Sequence, residues 1–227
     1  MSASEAELRR WAETLSGLAR TGIGFTESPY ERERYEEILA VAADLKASAD
    51  GEDALDAPAY VTEWMKGAER GSAGYVTPKV AVGAILVNER DELLMIQRSD
   101  SGVWLYPTGW ADIGYSAPEV VVKEVKEETG IDAEVVRLIG VLDGMRLGLS
   151  RIPLYSLIFL CRAVGGTLAG HPHETLDLGW FAQDSLPANT LGAERWSPAI
   201  FAAIRDSSFP VFYDDVRRPV WRGSDEH

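Results

Sequence analysis

Three glutamates crowd one short stretch of this 227-residue chain. In "KEVKEETG" (Lys123 to Gly130), Glu124, Glu127 and Glu128 stand at i, i+3 and i+4. On a helix that spacing puts all three on one side. Glu124 and Glu128 then repel as a like-charge pair, at roughly 0.2–0.5 kcal/mol. Gly130 marks the helix end, where each anion loses roughly 0.3–1 kcal/mol against the helix dipole. A solvated acidic face is the plain alternative, yet such a face is cheaper when Lys alternates with Glu in the favourable order. A divalent cation removes the penalty, because hard carboxylate oxygens converging from one face suit Mg2+ or Mn2+. No His or Cys spacing suggests zinc.

The flanking residues set up that helix. Ser116-Ala-Pro-Glu119 is a capping box with an early proline, and Gly130 is the stop. Val121, Val122 and Val125 supply a face to bury. Gly109 and Gly114 bracket a loop able to approach a ligand with bare backbone. Around this centre the pattern is strand-like from Lys79 onward. "KVAVGAILV", the turn "NERDE" and "LLMIQR" read as a hairpin, and "VWLY" as a third short strand. "EVVRLIGVL" and "PLYSLIFLCRAV" are further strands, "WFAQDSLP" ends a last one, and "GAERWSPAIFAAIRDS" has helical spacing.

The N-terminal part reads as a helical hairpin over residues 1–50. Leu8, Trp11, Ala12, Leu15, Leu18 and Ala19 form one stripe; Tyr35, Ile38, Leu39, Ala42 and Leu45 form the second. Two short helices cannot bury both stripes alone, so they dock on their own chain or on a partner subunit. "ASADGEDALDAP" is the linker candidate, and residues 51–70 are expected to be a linker with a short helix around "YVTEWMKGAER". The main domain is expected over 71–205, with its boundary near Gly71. Residues 206–227, containing "FPVFYDDVRRPVW", are expected to be a tail packed on the body.

Composition excludes several classes. A formal net charge of −14 disfavours generic binding to nucleic acid or anionic lipid. No apolar run approaches a membrane span and the first residues lack a signal-peptide pattern, so a cytoplasmic location is expected. The lone Cys161 lies in an apolar run, where a buried strand thiol is expected rather than a nucleophile.

The stretch from Gly109 to Ile131 resembles the signature box of the Nudix hydrolases, G-x5-E-x7-R-E-U-x-E-E-x-G-U. Gly109, Glu124, Val125, Glu127, Glu128, Gly130 and Ile131 fall in register. Two positions depart: the early Glu is Tyr115 and the Arg is Lys123. Both positions usually brace loop and helix, and a Tyr115 hydroxyl near Lys123 is the expected substitute. The resemblance implies an α/β fold, a Nudix α/β/α sandwich with a mixed sheet, plus a small N-terminal helical domain.

"GWADIGYS" with the helical segment before it resembles a subgroup acting on nucleoside diphosphates linked to a moiety X, CDP-choline pyrophosphatase included. Members of that subgroup are similar in forming dimers, which implies a homodimer here. What the resemblance implies is metal-dependent hydrolysis of a nucleoside diphosphate-X compound to a nucleoside monophosphate and phospho-X. Glu124, Glu127 and Glu128, with the Gly109 carbonyl, would hold Mg2+ or Mn2+. Glu127 would take the proton from water, with Glu174 as runner-up; "HETLDLGWF" resembles a segment with Glu six residues before Trp. His171 and His173 beside it could touch phosphate. Arg98 is expected to contact phosphate, Trp110 or Tyr115 to stack on the base, and Lys123, Gly114 and Gly130 to shape the site. ADP-ribose hydrolysis is the same chemistry with another X, although "GMRLGLS" lacks the proline that specialised members often carry past the box. Action on RNA ends or short RNA would draw on the basic patches "VRRPVWRG" and "RLGLSR". A non-catalytic ligand sensor should lose box carboxylates, and all three are present.

Overall fold

The computed structural model describes residues 3–51, 54–66, 76–112 and 114–216. It divides into two compact units: Met1–Lys79 with Gly144–Leu154, and Val80–Asp143 with Tyr155–His227. The expected boundary at Gly71 and most of the basic patch "VRRPVWRG" lie outside the described residues.

The first unit is helical. Helix α1 (Glu5–Phe25) opens on a Ser4–Glu7 capping box. Helix α2 (Pro29–Asp50) opens on Ser28 with proline in its first turn, and α3 (Ala57–Met65) on Asp56. Their shared core contains Ala19, Ile23, Leu39, Ala42, Ala43, Tyr60 and Trp64. Small residues at the α1–α2 contact let the two backbones pack closely.

The buried stripe differs from the one periodicity selects. Leu18 is 64% exposed and Ile38 also faces out, whereas Glu13, Ser16, Lys46 and Asp50 are buried. Lys46 Nζ lies 2.9 Å from Glu13 Oε1 and 3.7 Å from Asp50 Oδ2, and donates to the Arg151 carbonyl at 3.0 Å. Arg9 Nε and the Tyr60 hydroxyl each reach Asp50 at 2.6 Å. Mutual neutralisation is what lets such groups enter a core. It also holds Ala49 and Asp50 in α2, so the segment expected as linker is helical at its start.

The second unit is built on one mixed sheet. Its strands are β1 (Lys79–Val87), β2 (Leu93–Arg98), β3 (Trp104–Leu105), β4 (Thr108–Trp110), β5 (Ile131–Asp143), β6 (Leu154–Gly166), β7 (Thr175–Phe181) and β8 (Phe212–Tyr213). The order is β3-β2-β1-β6-β5-β8, with β4 paired to β1 and β7 to β2. β5 and β8 run parallel, whereas β1–β2, β1–β4, β2–β3, β2–β7 and β5–β6 are antiparallel. Alternation along β1 sends Val82, Ala84 and Leu86 to the face covered by α4 (Ala117–Thr129), against Val120, Val121 and Val125. Val122, expected in that face, is exposed instead. On the opposite face, Tyr106 meets Trp196 of α5 (Ala193–Arg205) edge-on at 5.2 Å. The result is the α/β/α sandwich. Cys161 sits wholly buried in β6, where burial pushes its thiol up to about 12 and keeps it inert.

Candidate active site

The centre forms where β4 passes beside α4. Pairing with β1 places Gly109 opposite Val82, and the chain then turns into α4 through the Ser116–Glu119 capping box. At Gly109 the contact is so close that a Cβ would overlap the Glu124 carboxylate. Any larger residue would therefore displace that side chain. Gly114 holds φ at 93° in the turn, and Gly130 ends the helix in the left-handed region at φ 73°.

The three box glutamates have different surroundings. Glu128 is 5% exposed and accepts one hydrogen bond, from the Thr108 N–H at 3.0 Å. Burial pushes its carboxyl up to about 8, and the Thr108 bond only partly opposes this. Glu124 is largely buried and also raised, first by burial; Lys123 opposes the shift, while Glu127, Asp112 and Glu174 add to it. Glu127 faces solvent and lies 3.1 Å from Lys123 Nζ.

Lys123 has three acidic neighbours: Asp112 at 3.2 Å, Glu127 at 3.1 Å and Glu124 at 3.8 Å. Glu127 first and Asp112 second raise its pKa. The brace is therefore Asp112, three positions before Tyr115, and not the Tyr115 hydroxyl. Tyr115 is instead 56% exposed. Sequence reasoning missed Asp112; the available signal was an acid inside the Gly109–Gly114 loop when the expected acid at 115 was absent.

Glu174 approaches from a second direction. The turn before β7 is tied to the helix end by His171 N–H and Thr175 Oγ1, both donating to the Glu128 carbonyl at 3.3 Å. Glu174 is exposed, and its charge bears on both Glu124 and Glu128. His171 Nδ1 is buried without a hydrogen bond, 3.8 Å from Glu174 Oε2. Arg98, at the end of β2, pairs through Nε and Nη2 with Asp100 at 3.0 and 2.6 Å. Trp110, on β4 next to Gly109, is 49% exposed. The structure thus gathers Gly109, Glu124, Glu127, Glu128 and Lys123 directly, with Glu174 and Arg98 acting on the same carboxylates by charge.

The donor chemistry fits a hard divalent cation. Glu128 is a buried carboxylate with one hydrogen bond for two oxygens, and Glu124 is pressed on bare backbone at Gly109. Among the described residues no three acidic, imidazole or thiol groups close into a finished ion cage. An ammonium, that of Lys123, sits among the carboxylates and marks the place as one that attracts positive charge.

The chain is similar to known proteins along most of its length. A family model described as the NUDIX domain matches residues 77–202. A second, described as a UDP-X-like N-terminal oligomerisation domain, matches residues 6–60. YjhB of Bacillus subtilis (strain 168), provisionally described as an ADP-ribose pyrophosphatase, is 31% identical over 209 residues, 92% of this chain and 91% of that protein. A solved UDP-X diphosphatase is 26% identical with a TM-score of 0.56, covering 93% of this chain and all of that one. A solved ADP-ribose pyrophosphatase from Streptococcus suis is 34% identical with a TM-score of 0.53, covering 61% of this chain and 100% of that one.

Proposed function

The chain belongs to the Nudix family of diphosphohydrolases, and from that premise we propose that it hydrolyses nucleoside diphosphates linked to a moiety X. The products would be a nucleoside monophosphate and phospho-X. The observation that carries this reading is the UDP-X-like N-terminal segment together with likeness to a UDP-X diphosphatase along 93% of the chain. The CDP-choline and nucleotide-sugar types both fall within this class.

Glu124, Glu127 and Glu128, with the Gly109 carbonyl, would hold Mg2+ or Mn2+. When bound, such an ion neutralises the diphosphate and makes water more acidic. Glu127, the most exposed of the three, accepts the proton of the attacking water; Glu174 is the alternative base. The new bond joins that water oxygen to phosphorus, and the bridging P–O bond breaks toward the leaving phosphate. Arg98 contacts a phosphate oxygen, while Trp110 and Tyr115 present exposed rings on which a base stacks. Lys123, Gly114 and Gly130 hold the loop and helix in shape. The exposed Leu18 and Ile38 on the helical unit support a homodimer through that unit. In this reading residues 1–50 are the helical hairpin, 51–70 a linker with a short helix, 71–205 the hydrolase domain and 206–227 a tail. No described helix is long and apolar enough to cross a membrane, and a reduced, buried Cys161 fits a cytoplasmic setting.

The test is turnover. Purified protein with Mg2+ or Mn2+ is offered UDP-sugars, CDP-choline, ADP-ribose, nucleoside triphosphates and a short RNA, with chromatographic readout. Release of a monophosphate from a nucleoside diphosphate-X compound is expected. Glu127→Gln should reduce kcat by about 10²–10⁴-fold. A second reading, ADP-ribose as the main substrate, is favoured by the similarity to YjhB and to the Streptococcus suis enzyme. Turnover of ADP-ribose far above the UDP and CDP compounds would select it. Binding without turnover of any compound would point to a ligand sensor.

A further inference from the structure

We propose that Asp100 is a positioning residue for diphosphate binding: it grips one edge of the Arg98 guanidinium and leaves Nη1 unengaged for a phosphate oxygen. The inference rests on the reading above, in which Arg98 meets the substrate.

Arg98 ends β2 in register with Thr175 of β7, whose hydroxyl donates to the Glu128 carbonyl. The next residue, Ser99, donates its N–H to the Glu174 carbonyl at 2.9 Å and its hydroxyl to the His173 carbonyl at 2.7 Å. The side chain of Arg98 therefore springs from backbone paired with the stretch that carries Glu174. Its charge bears on Glu128 and Glu174. Two bonds, Nε to Oδ1 at 3.0 Å and Nη2 to Oδ2 at 2.6 Å, make a planar fork with Asp100. Ser101 Oγ donates to Asp100 Oδ1 at 2.9 Å and steadies the carboxylate. Among the described residues Nη1 makes no hydrogen bond.

An unheld arginine samples many rotamers, and that freedom is lost when it binds an anion. Gripping Nε and Nη2 in advance removes much of this loss. A structural explanation is also available, since the pair lies at the start of the β2–β3 turn. That turn already has its own bonds: Arg98 N–H to the Val103 carbonyl, Gly102 N–H to the Arg98 carbonyl, and Gln97 Nε2 to the Gly102 carbonyl. An exposed ion pair adds little to a turn so held. Its value lies in orientation.

The experiment is a double-mutant cycle in the full chain with Asp100→Ala, Asp100→Asn, Arg98→Ala and the Ala pair. Calorimetry with Mg2+ and methylenediphosphonate gives affinity, kinetics with UDP-glucose and ADP-ribose give KM and kcat, and melting reports folding. Asp100→Ala is expected to weaken methylenediphosphonate binding about tenfold and raise KM similarly, with kcat within about twofold. Asp100→Asn keeps the Oδ1 acceptor and recovers part of the loss. In the Arg98→Ala background Asp100→Ala adds nothing. An unchanged affinity in Asp100→Ala overturns the proposal, as does an equal loss in both backgrounds, which is the signature of a turn effect. If neither nucleotide is turned over while the calorimetric coupling persists, the Asp100–Arg98 assignment stands and the proposed reaction fails separately.

Discussion

Two clusters of charges in this chain behave in opposite ways. In the helical unit, Arg9 and Lys46 face Glu13 and Asp50, two cations against two anions, with Tyr60 donating to the same carboxylate. On α4 and its neighbours, Lys123 and Arg98 face Asp100, Asp112, Glu124, Glu127, Glu128 and Glu174. The first group neutralises itself and serves the fold. The second keeps a surplus of negative charge, which a fold alone would not favour and which a cationic ligand relieves. Charge balance, rather than the mere presence of acidic residues, is what distinguishes the two clusters.

Removing one cation from each cluster should give different results. Lys46→Ala leaves Glu13 buried without its ammonium partner, while Asp50 keeps Arg9 and Tyr60, and should lower unfolding free energy by roughly 3–5 kcal/mol. Lys123→Ala should leave denaturant stability near the parent value while impairing turnover. Equal stability losses from both substitutions, measured by urea unfolding, would erase the distinction.

Acidity offers a second discriminator, with opposite signs in the two places. Burial lifts Glu128 from its ordinary 4.5 to about 8, so the folded chain retains a proton that the unfolded chain has lost. In metal-free protein its contribution is complete below about pH 4.5 and disappears as pH rises through about 8. Asp50 runs the other way. Burial alone would raise it, but the bonds from Tyr60 and Arg9 and the charge of Lys46 outweigh that and hold it below its usual range. Its contribution is present at neutral pH and is lost as pH falls through the carboxylate range. Urea unfolding across pH with a chelator should show both limbs. Glu128→Gln should flatten the upper limb and Asp50→Asn the lower; an upper limb untouched by Glu128→Gln would contradict the assignment.

The smallest expected effect concerns the brace. Asp112→Asn removes one of three acidic neighbours of Lys123 and should lower kcat/KM by less than about tenfold, since the pair is solvent-exposed. Tyr115→Phe should leave loop bracing intact, because Lys123 is held by carboxylates. A larger loss from Tyr115→Phe than from Asp112→Asn would restore the tyrosine as the brace.

Much of the second unit was legible from local pattern. The β1–β2 hairpin, β5, β6, α5 and the capped α4 all correspond to periodic runs with recognisable stops. Two short strands, β4 and β8, were not legible. A three-residue strand such as Thr108–Trp110 has no period to read and exists because β1 offers it a partner. Leu18 and Ile38 of the helical stripes stay exposed in the single chain, and periodicity missed the buried charges because it counts apolar residues only. Glu13, Lys46 and Asp50 bury through mutual pairing across sequence distance, which no single helix reveals.

The same division holds at the site. The i, i+3, i+4 glutamates, the Gly109 approach and the Gly130 stop follow from local spacing, because helix geometry and glycine sterics act over a few residues. The partners of those groups depend on which strands lie side by side. That Asp112 braces Lys123, that Asp100 grips Arg98, and that the turn before β7 brings Glu174 to bear on Glu128 are consequences of sheet pairing and loop closure. Spacing along the chain specifies which side of an element a residue occupies. Only the tertiary structure decides what faces it, because charge, burial and hydrogen bonding act through space.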